Sequence, residues 1–224
     1  MNEKETRQRL LDKAYAENTG GLVAYIDESY QAPSFGFPTT PFYVATAYLI
    51  PVSDLDLIRS DLPHVTESTY WHSTQSHQTA DGQERIRSLI KYISEGSETI
   101  IVAVKNPIPA DDPDGERARH ECFTELLSAL SIGQFCEPVA LAIMEERKLG
   151  AQRNADARTV TSARNGVRIA RHMRVLPTSP SVERLLWLPD VVSFALYRQI
   201  AGHHDDYVKP LAHHVRIITV PSTA

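Results

Sequence analysis

Two adjacent carboxylates at the end of an apolar run constrain the fold of this chain more than any other sequence feature. Leu22–Ile26 is continuously apolar and includes β-branched and aromatic side chains, which is typical of a strand covered on both faces. The run stops at Asp27 and Glu28. Ionised carboxylates cost free energy when they leave water unless a cation meets them. The pair therefore indicates either the start of a solvated loop or half of a divalent-metal site.

The same pattern returns twice later in the chain. Pro138–Met144 is predicted to be a buried strand, and it ends at Glu145 and Glu146. Asp190 interrupts the most apolar predicted helix, and Pro189 before it indicates that the regular helix starts or restarts there. Ligand sites in α/β sheets lie beyond the carboxyl ends of strands. These acids therefore converge if the first and fourth strands are parallel neighbours.

Each acid taken alone also has an ordinary explanation. Glu145 and Glu146 can pair with Arg147 and Lys148 on a surface turn. Asp190 can be a first-turn helix residue that the helix dipole favours. The joint pattern is therefore more informative than any single member.

The alternation of strands with helices predicts one α/β domain over residues 1–224, with a helix in residues 1–20 and a C-terminal extension in residues 203–224. We expect Phe42–Ile50 to pair antiparallel with the first strand, so that the sheet is mixed. The other predicted strands are Thr99–Val104, Met173–Leu176 and His213–Val220, and the predicted helices are Glu3–Glu17, Asp54–Asp61, Asp81–Glu95, Glu116–Ser131, Asn154–Arg171 and Leu185–Ile200.

Composition narrows the class of protein. The 224 residues are 42% hydrophobic, which allows a sizeable core, and no segment reaches the roughly 18 consecutive apolar residues of a membrane span. The formal net charge of -5 argues against a basic chain that coats nucleic acid, although a local basic face can still bind it. Cys122 and Cys136 lack metal-type spacing and no secretory signal is visible, so we expect a cytoplasmic protein with reduced thiols.

Arginines on the predicted helix Asn154–Arg171 offer the best candidate surface for a phosphate backbone. Arg164, Arg168 and Arg171 are spaced i, i+4 and i+7, which places them on one helical face. Nucleic-acid binding is one interpretation of this face. A solvated helix face without a partner is the other.

Other polar groups are weaker candidates. His72 follows an aromatic segment and can serve as a general base, a substrate contact or a structural histidine. His203–Asp206 has the composition of a metal cluster, but it follows a helix-ending glycine and is equally typical of a solvated loop. Ser29 is the nucleophile of a serine-hydrolase alternative, which lacks the Gly-x-Ser-x-Gly elbow.

Taken together, these pieces resemble the domain-of-unknown-function family 3800 (DUF3800), which is related to the ribonuclease-H-like fold. The resemblance extends from about residue 22 to about residue 202, and its motifs are Tyr25–Ser29, the Phe42–Ile50 strand, the acid after Pro138–Met144, and Leu185–Val192. It implies a ribonuclease-H-like mixed sheet flanked by helices, to which the first helix is an addition. It also implies a metal-binding acidic cluster and nuclease or other phosphoryl-transfer activity.

The resemblance also implies roles for particular acids. Asp27 matches the acid of the first strand, and Asp190 matches the acid of the last helix. Glu145 matches the middle acid, with Glu146 as its rival. Glu67 and Glu84 are candidates for a further acid in the region of the first helix.

We therefore expect a metal-dependent nuclease or other phosphodiesterase. Asp27, Glu145 and Asp190 would hold Mg²⁺ or Mn²⁺, which are hard cations that prefer oxygen ligands. Glu28 or Glu146 would complete the site or orient water, with His72 nearby. The alternative is a non-catalytic binding or assembly module whose acids lie apart or are neutralised by arginines. Expected partners are nucleic acid and, through the terminal strand, a second copy of the chain, but no membrane.

Overall fold

The computed structural model describes residues 3–37, 39–203 and 206–221, and the six strands within them form one mixed sheet. These strands are β1 (Leu22–Gln31), β2 (Phe42–Pro51), β3 (Ile100–Lys105), β4 (Leu141–Glu145), β5 (Arg174–Thr178) and β6 (Val215–Thr219). They lie side by side in the order β5-β4-β1-β2-β3-β6. The segment predicted as a C-terminal extension thus adds a strand to the sheet.

The directions of β1 and β4 explain why Asp27 and Glu145 lie side by side. β1, β2 and β3 form an antiparallel meander, and β4 runs parallel to β1. β5 is parallel to β4, and β6 is parallel to β3. This topology confirms the predicted α/β class with its early hairpin, and it is consistent with a ribonuclease-H-like fold.

Helices cover both faces of the sheet. They are α1 (Glu3–Glu17), α2 (Leu55–Val65), α3 (Ser73–Ser76), α4 (Ala80–Glu95), α5 (Glu116–Ile132), α6 (Gly150–Asn165) and α7 (Trp187–Ile200), with short 3₁₀ helices at Pro33–Phe35, Val52–Asp54, Arg184–Leu186 and Lys209–Leu211. In the part of the chain that the structure describes, no helix combines the length and the apolar character that crossing a membrane requires.

Side chains alternate along each strand and therefore enter two separate cores. Tyr25 on β1 packs in the core that α1, α2, α4 and α7 cover. Its neighbour Ile26 packs in the core beneath α5 and α6. Asp27 consequently belongs to the α7 face of the sheet, and Glu28 belongs to the α5 face.

Two elements continue through prolines at which the sequence predicts that they end, since the predicted helix Asp54–Asp61 stops before Pro63 and the predicted strand Met173–Leu176 stops before Pro177. Pro63 lies inside the last turn of α2, where it removes one backbone donor while the fully buried Leu62 keeps the helix packed. Pro177 lies inside β5, which is an edge strand that does not need every donor. The sequence of residues 70–72 suggests a short strand or an extended turn. The structure forms no strand there, and His72 has an extended backbone immediately before α3.

Candidate functional site

Asp27 and Glu145 lie where the pairing of two neighbouring parallel strands ends. Glu145 is the last residue of β4, whereas Asp27 lies inside β1, which continues to Gln31 because residues 27–31 still pair with β2. The expectation that the first strand stops at Asp27 was therefore wrong. Ile26 of β1 and Met144 of β4 are the last backbone partners, so each acid is the first residue beyond the paired segment. Because side chains alternate, both acids belong to the face of the sheet that α7 covers. The predicted convergence of the first and fourth strands is therefore confirmed.

Asp190 reaches the same place from the first turn of α7, which packs directly on β1. Its carboxylate accepts hydrogen bonds from the backbone N–H of Ser73 at 2.9 Å and from the Ser73 hydroxyl at 2.5 Å. Trp71 Nε1–H donates to the same hydroxyl at 3.1 Å, and His72 Nδ1 lies 3.9 Å from Asp190 Oδ1. The start of α3 thus orients the Asp190 side chain and places His72 beside it.

The three acids line one open cavity of about 510 Å³. Glu28, Glu146 and His72 line it as well, together with the exposed Lys148. The lining residues come from β1, β4, α3, α5, α6 and α7 and from the segments that follow β4 and precede α3. Every acid that the sequence analysis named as a first choice therefore faces this single space.

Burial shifts the pKa values of all three acids upward, and like charges add to the shift for Asp27 and Glu145. Burial, followed by the charges of Asp190 and Glu145, raises the pKa of Asp27 well above its ordinary value. Burial and the Asp190 charge raise the pKa of Glu145 to about 7. Burial raises the pKa of Asp190 against the opposing hydrogen bonds from Ser73. In the described part of the chain, neither Asp27 nor Glu145 has a cationic side chain within 4.0 Å, which is the distance limit for an ion pair.

Glu28 has a different environment because it points to the α5 face. Arg119 Nη2 lies 3.0 Å from its carboxylate, and the same guanidinium lies 3.2 Å from Asp156. Arg119 is only 5% exposed and stacks over the Phe123 ring at 4.2 Å. Glu28 is therefore paired with an arginine, as the non-catalytic alternative expects of an acid, although burial still raises the pKa of this carboxyl against the opposing Arg119 charge.

Glu146 is also paired, and neither candidate for a further acid lies in the cavity. The Glu146 carboxylate forms a salt bridge with Arg7 of α1, and Arg153 lies 3.8 Å away. Glu67 and Glu84 are both exposed on the surface and do not line the cavity. Of the two residues after β4, Glu145 is therefore the better candidate for a ligand.

The donor set suits a hard cation in its chemistry, but the side chains are not arranged as a ready set of ligands. Asp27, Glu145 and Asp190 offer unpaired or partly paired carboxylate oxygens, which Mg²⁺ and Mn²⁺ prefer. Within the described residues, however, no group of three or more His, Cys, Asp or Glu is placed so that it could hold a metal ion. A metal at this site would therefore require these side chains to move closer together.

The predicted arginine face does not exist as a helical face. α6 ends at Asn165, and Gly166 follows as its C-cap residue. Val167 has a φ of 56°, in the left-handed region, which turns the chain away from the helix axis. Arg168 and Arg171 therefore lie beyond the helix, and the spacing argument that grouped them with Arg164 was wrong.

Two of these arginines form hydrogen bonds within the protein, and all three lie away from the carboxylate cavity. Arg164 Nη2–H donates to the Met173 carbonyl at 2.8 Å and so fastens the end of α6 to the segment before β5. Arg168 donates to both carboxylate oxygens of Glu125 on α5 at 2.7 Å. Arg171 is exposed. None of the three lines the carboxylate cavity.

Ser73 and Lys148 belong to the site, although the sequence analysis did not assign them to it. Ser73 is fully buried and connects Trp71 with Asp190, which lies 117 residues away. The cluster of aromatic and polar residues around His72 was the available signal, but nothing in it marks the serine. Lys148 was considered only as a surface partner of the acids after β4.

Two weaker candidates can also be located. Ser29 lines the cavity, but no hydrogen bond joins it to a histidine among the described residues, so the serine-hydrolase alternative gains no support. The proposed cluster His203–Asp206 includes residues 204 and 205, which lie outside the described residues. His72 is thus the one histidine that lines the carboxylate cavity in the part of the chain the structure describes.

In comparisons with known proteins, no family model and no curated protein matches the chain. The resemblance to the DUF3800 family therefore stays a prediction that rests on the motifs quoted above. The functional argument depends on the geometry and chemistry of the carboxylate cavity itself.

Proposed function

We propose that this protein is a cytoplasmic, metal-dependent phosphodiesterase of the nuclease type, with Asp27, Glu145 and Asp190 as ligands for Mg²⁺ or Mn²⁺. One observation carries the proposal: three carboxylates from three different elements line one cavity, where burial raises the pKa of each of them. Three buried carboxylates reduce the free energy of unfolding unless a cation binds them. Hard divalent cations are the partners that carboxylate oxygens favour.

The residues of the cavity would divide the work as follows. A bound divalent cation would supply Lewis-acid stabilisation of the charge that develops on a phosphodiester. Ser73 holds the Asp190 carboxylate in position. His72 is half exposed beside Asp190 and can hydrogen-bond to water or to the substrate. Lys148 is exposed at the cavity and can contact a phosphate oxygen.

A non-catalytic binding or assembly module is the second candidate, and two observations favour it. Glu28 and Glu146 are paired with arginines. The described side chains also contain no preformed metal-ligand group. This candidate predicts that divalent cations do not bind and that the cavity acids can be replaced without loss of function.

Calorimetric titration of Mn²⁺ distinguishes the two candidates. We expect Mn²⁺ to bind the parent protein, and we expect the affinity to fall by more than about tenfold in Asp27→Asn. The matched control is Asp81→Asn, an exposed aspartate in the first turn of α4, which should bind Mn²⁺ as the parent does. Absence of Mn²⁺ binding in the parent, or equal Mn²⁺ affinity in Asp27→Asn, would refute the proposed phosphodiesterase and favour the non-catalytic module.

A further inference from the structure

A ladder of four aromatic rings leads from the core of the sheet to the protein surface. Tyr43 and Tyr30 stack with centroids 5.3 Å apart, and Tyr30 lies 5.6 Å from Phe35. Phe35 and Phe37 meet edge to face at 6.3 Å. Phe35 is 49% exposed and Phe37 is 53% exposed, whereas Tyr43 is buried. The outer end of this aromatic ladder therefore presents two phenylalanine rings to solvent.

The loop that carries the two phenylalanines is held in place. Pro33–Phe35 forms a 3₁₀ turn, and Gly36 closes it with a φ of 67° that favours glycine. The backbone N–H of Ser34 donates to the Pro113 carbonyl at 2.9 Å, which ties the turn to a second loop. The rings are thus fixed before any partner arrives, which lowers the entropy that binding would cost.

The aromatic ladder is continuous with the carboxylate cavity. Tyr30 belongs to the ladder and also lines the cavity. It lies three residues after Asp27 on β1, about 10 Å along the strand, and shares the α5 face of the sheet with Glu28. The cavity reaches both faces, since Asp27, Glu28 and Tyr30 all line it. Lys148 lines the same cavity and forms no ion pair with any described residue, which leaves its charge available to an anion.

An aromatic platform next to a phosphate-binding site is the combination that single-stranded nucleic acids need. Every base has a π-face that can stack on an aromatic ring, and stacking of this kind tolerates any sequence. A base inside a duplex already stacks on its neighbours and cannot use the platform without leaving the helix. The platform therefore discriminates by strandedness rather than by sequence.

We infer that Tyr30, Phe35 and Phe37 stack the bases of a single-stranded nucleic acid whose phosphate lies at the carboxylate cavity, so that unpaired strands are the substrate class. This inference rests on the proposed function, because the three acids repel a phosphate unless a cation accompanies them. Lys148 contributes a sequence-independent contact with the backbone.

Fluorescence anisotropy tests the inference with a labelled phosphorothioate oligonucleotide of mixed sequence, which resists hydrolysis. The strand is titrated alone and annealed to its complement, with Mn²⁺ present. We expect the single strand to bind more than about tenfold tighter than the duplex. The double variant Phe35→Leu with Phe37→Leu keeps apolar volume but removes the rings, and it should weaken single-strand binding by about tenfold or more.

Three controls make the result specific. Phe35→Tyr with Phe37→Tyr keeps the rings and should bind the single strand as the parent does. Phe135→Leu, at an exposed phenylalanine that does not line the cavity, should have no effect. The leucine double variant should still bind Mn²⁺ with the affinity of the parent, which also shows that it is folded.

The outcomes separate this inference from the proposed function. Equal affinity for single strand and duplex, or unchanged binding in the leucine double variant, would overturn the inference while Mn²⁺ binding persists. Capture of an apolar peptide in place of nucleic acid would overturn it too. Absence of Mn²⁺ binding in the parent would refute the proposed function, and with it the substrate assignment.

Discussion

Asp27 and Glu145 occupy equivalent positions on β1 and β4, one residue beyond the last backbone pair of two parallel strands. Two like charges at neighbouring positions of a partly buried edge repel each other, and Asp190 adds a third. The fold positions these acids together although their repulsion opposes folding. The destabilisation is largest at pH values where all three are ionised.

The first prediction concerns pH. The pKa of Glu145 rises from its ordinary value of 4.5 to about 7 in the folded protein, so the folded state holds this proton more tightly than the unfolded chain. The free energy of unfolding of the metal-free protein should therefore fall as the pH rises through this window. Glu145→Gln removes the charge, and it should stabilise the protein at pH 8 by roughly 1 to 3 kcal/mol.

Urea denaturation with EDTA at a series of pH values measures this effect. Near pH 4.5 the parent and Glu145→Gln should have similar stability, because the carboxyl is largely protonated in the folded state. The matched control is Glu84→Gln, which replaces an exposed glutamate of α4. A parent protein whose stability rises with pH across the window would contradict the prediction.

The second prediction separates Glu28 from its neighbour Asp27. Glu28→Gln removes a carboxylate partner from the buried Arg119, and we expect a destabilisation of about 1 to 3 kcal/mol. Its Mn²⁺ affinity should stay close to that of the parent. Asp27→Asn should behave in the opposite way at pH 8, with lost Mn²⁺ affinity and increased stability. Loss of Mn²⁺ binding in Glu28→Gln would show that Glu28 is itself a ligand.

The third prediction concerns a buried polar network between α1 and the segment before α7. The Tyr15 hydroxyl donates to Glu183 at 2.6 Å, and Arg59 donates to both carboxylate oxygens of Glu183 at 3.1 and 2.9 Å. Glu183 is only 3% exposed, so Glu183→Gln should destabilise the protein by about 3 kcal/mol. Tyr15→Phe should cost about 1 kcal/mol. Chemical denaturation of both variants would contradict this ranking if Tyr15→Phe were the more damaging change.

The fourth prediction concerns Lys105, which is fully buried on β3. Its ammonium donates to Glu121 on α5 and, at 2.8 Å, to the Pro221 carbonyl. Glu121→Ala leaves this charge poorly compensated and should cost about 3 kcal/mol. Adding Lys105→Met should recover much of the loss, which gives a coupling energy of about 1 to 3 kcal/mol in a double-mutant cycle.

An exposed pair provides the control for this cycle. Lys91 and Glu95 lie 3.7 Å apart on α4, and both side chains are largely exposed. Their coupling energy should stay below about 1 kcal/mol. Similar coupling energies in the two cycles would show that burial does not strengthen the Lys105 pair.

Local patterns predicted where the strands lie, because an apolar run is visible within a short segment, but they did not predict where β1 ends, since it continues past Asp27 to Gln31. The run before Asp27 and the run before Glu145 both became strands, and Asp190 lies in the first turn of its helix as expected. The α/β class and the early hairpin followed from the alternation of elements, whereas the parallel pairing of β1 with β4 was only a condition of the argument, which the structure meets. Two parallel neighbours then brought the acids to one edge without any information from distant pairs.

Long-range pairs were not predictable from the same patterns. Tyr15 and Glu183 are 168 residues apart, and nothing in either segment indicates the other. The prediction of where α6 ends was wrong for a local reason. A lone glycine such as Gly166 only weakens a helix, and no sequence signal indicates that Val167 adopts a left-handed backbone. The ion pair between Glu28 and Arg119 could not be predicted either, because it depends on Arg119 reaching the sheet from α5.

The first helix, which the sequence suggests is an accessory, is attached to the rest of the fold at three points, one of which is at the cavity. Arg7 pairs with Glu146 at the cavity, Tyr15 bonds to Glu183 just before α7, and Glu17 pairs with Arg174 on β5. Deletion or redesign of this helix would therefore disturb the positions of Asp190 and Glu145, even though the helix carries neither residue. In practical terms, any engineering of this chain has to keep α1.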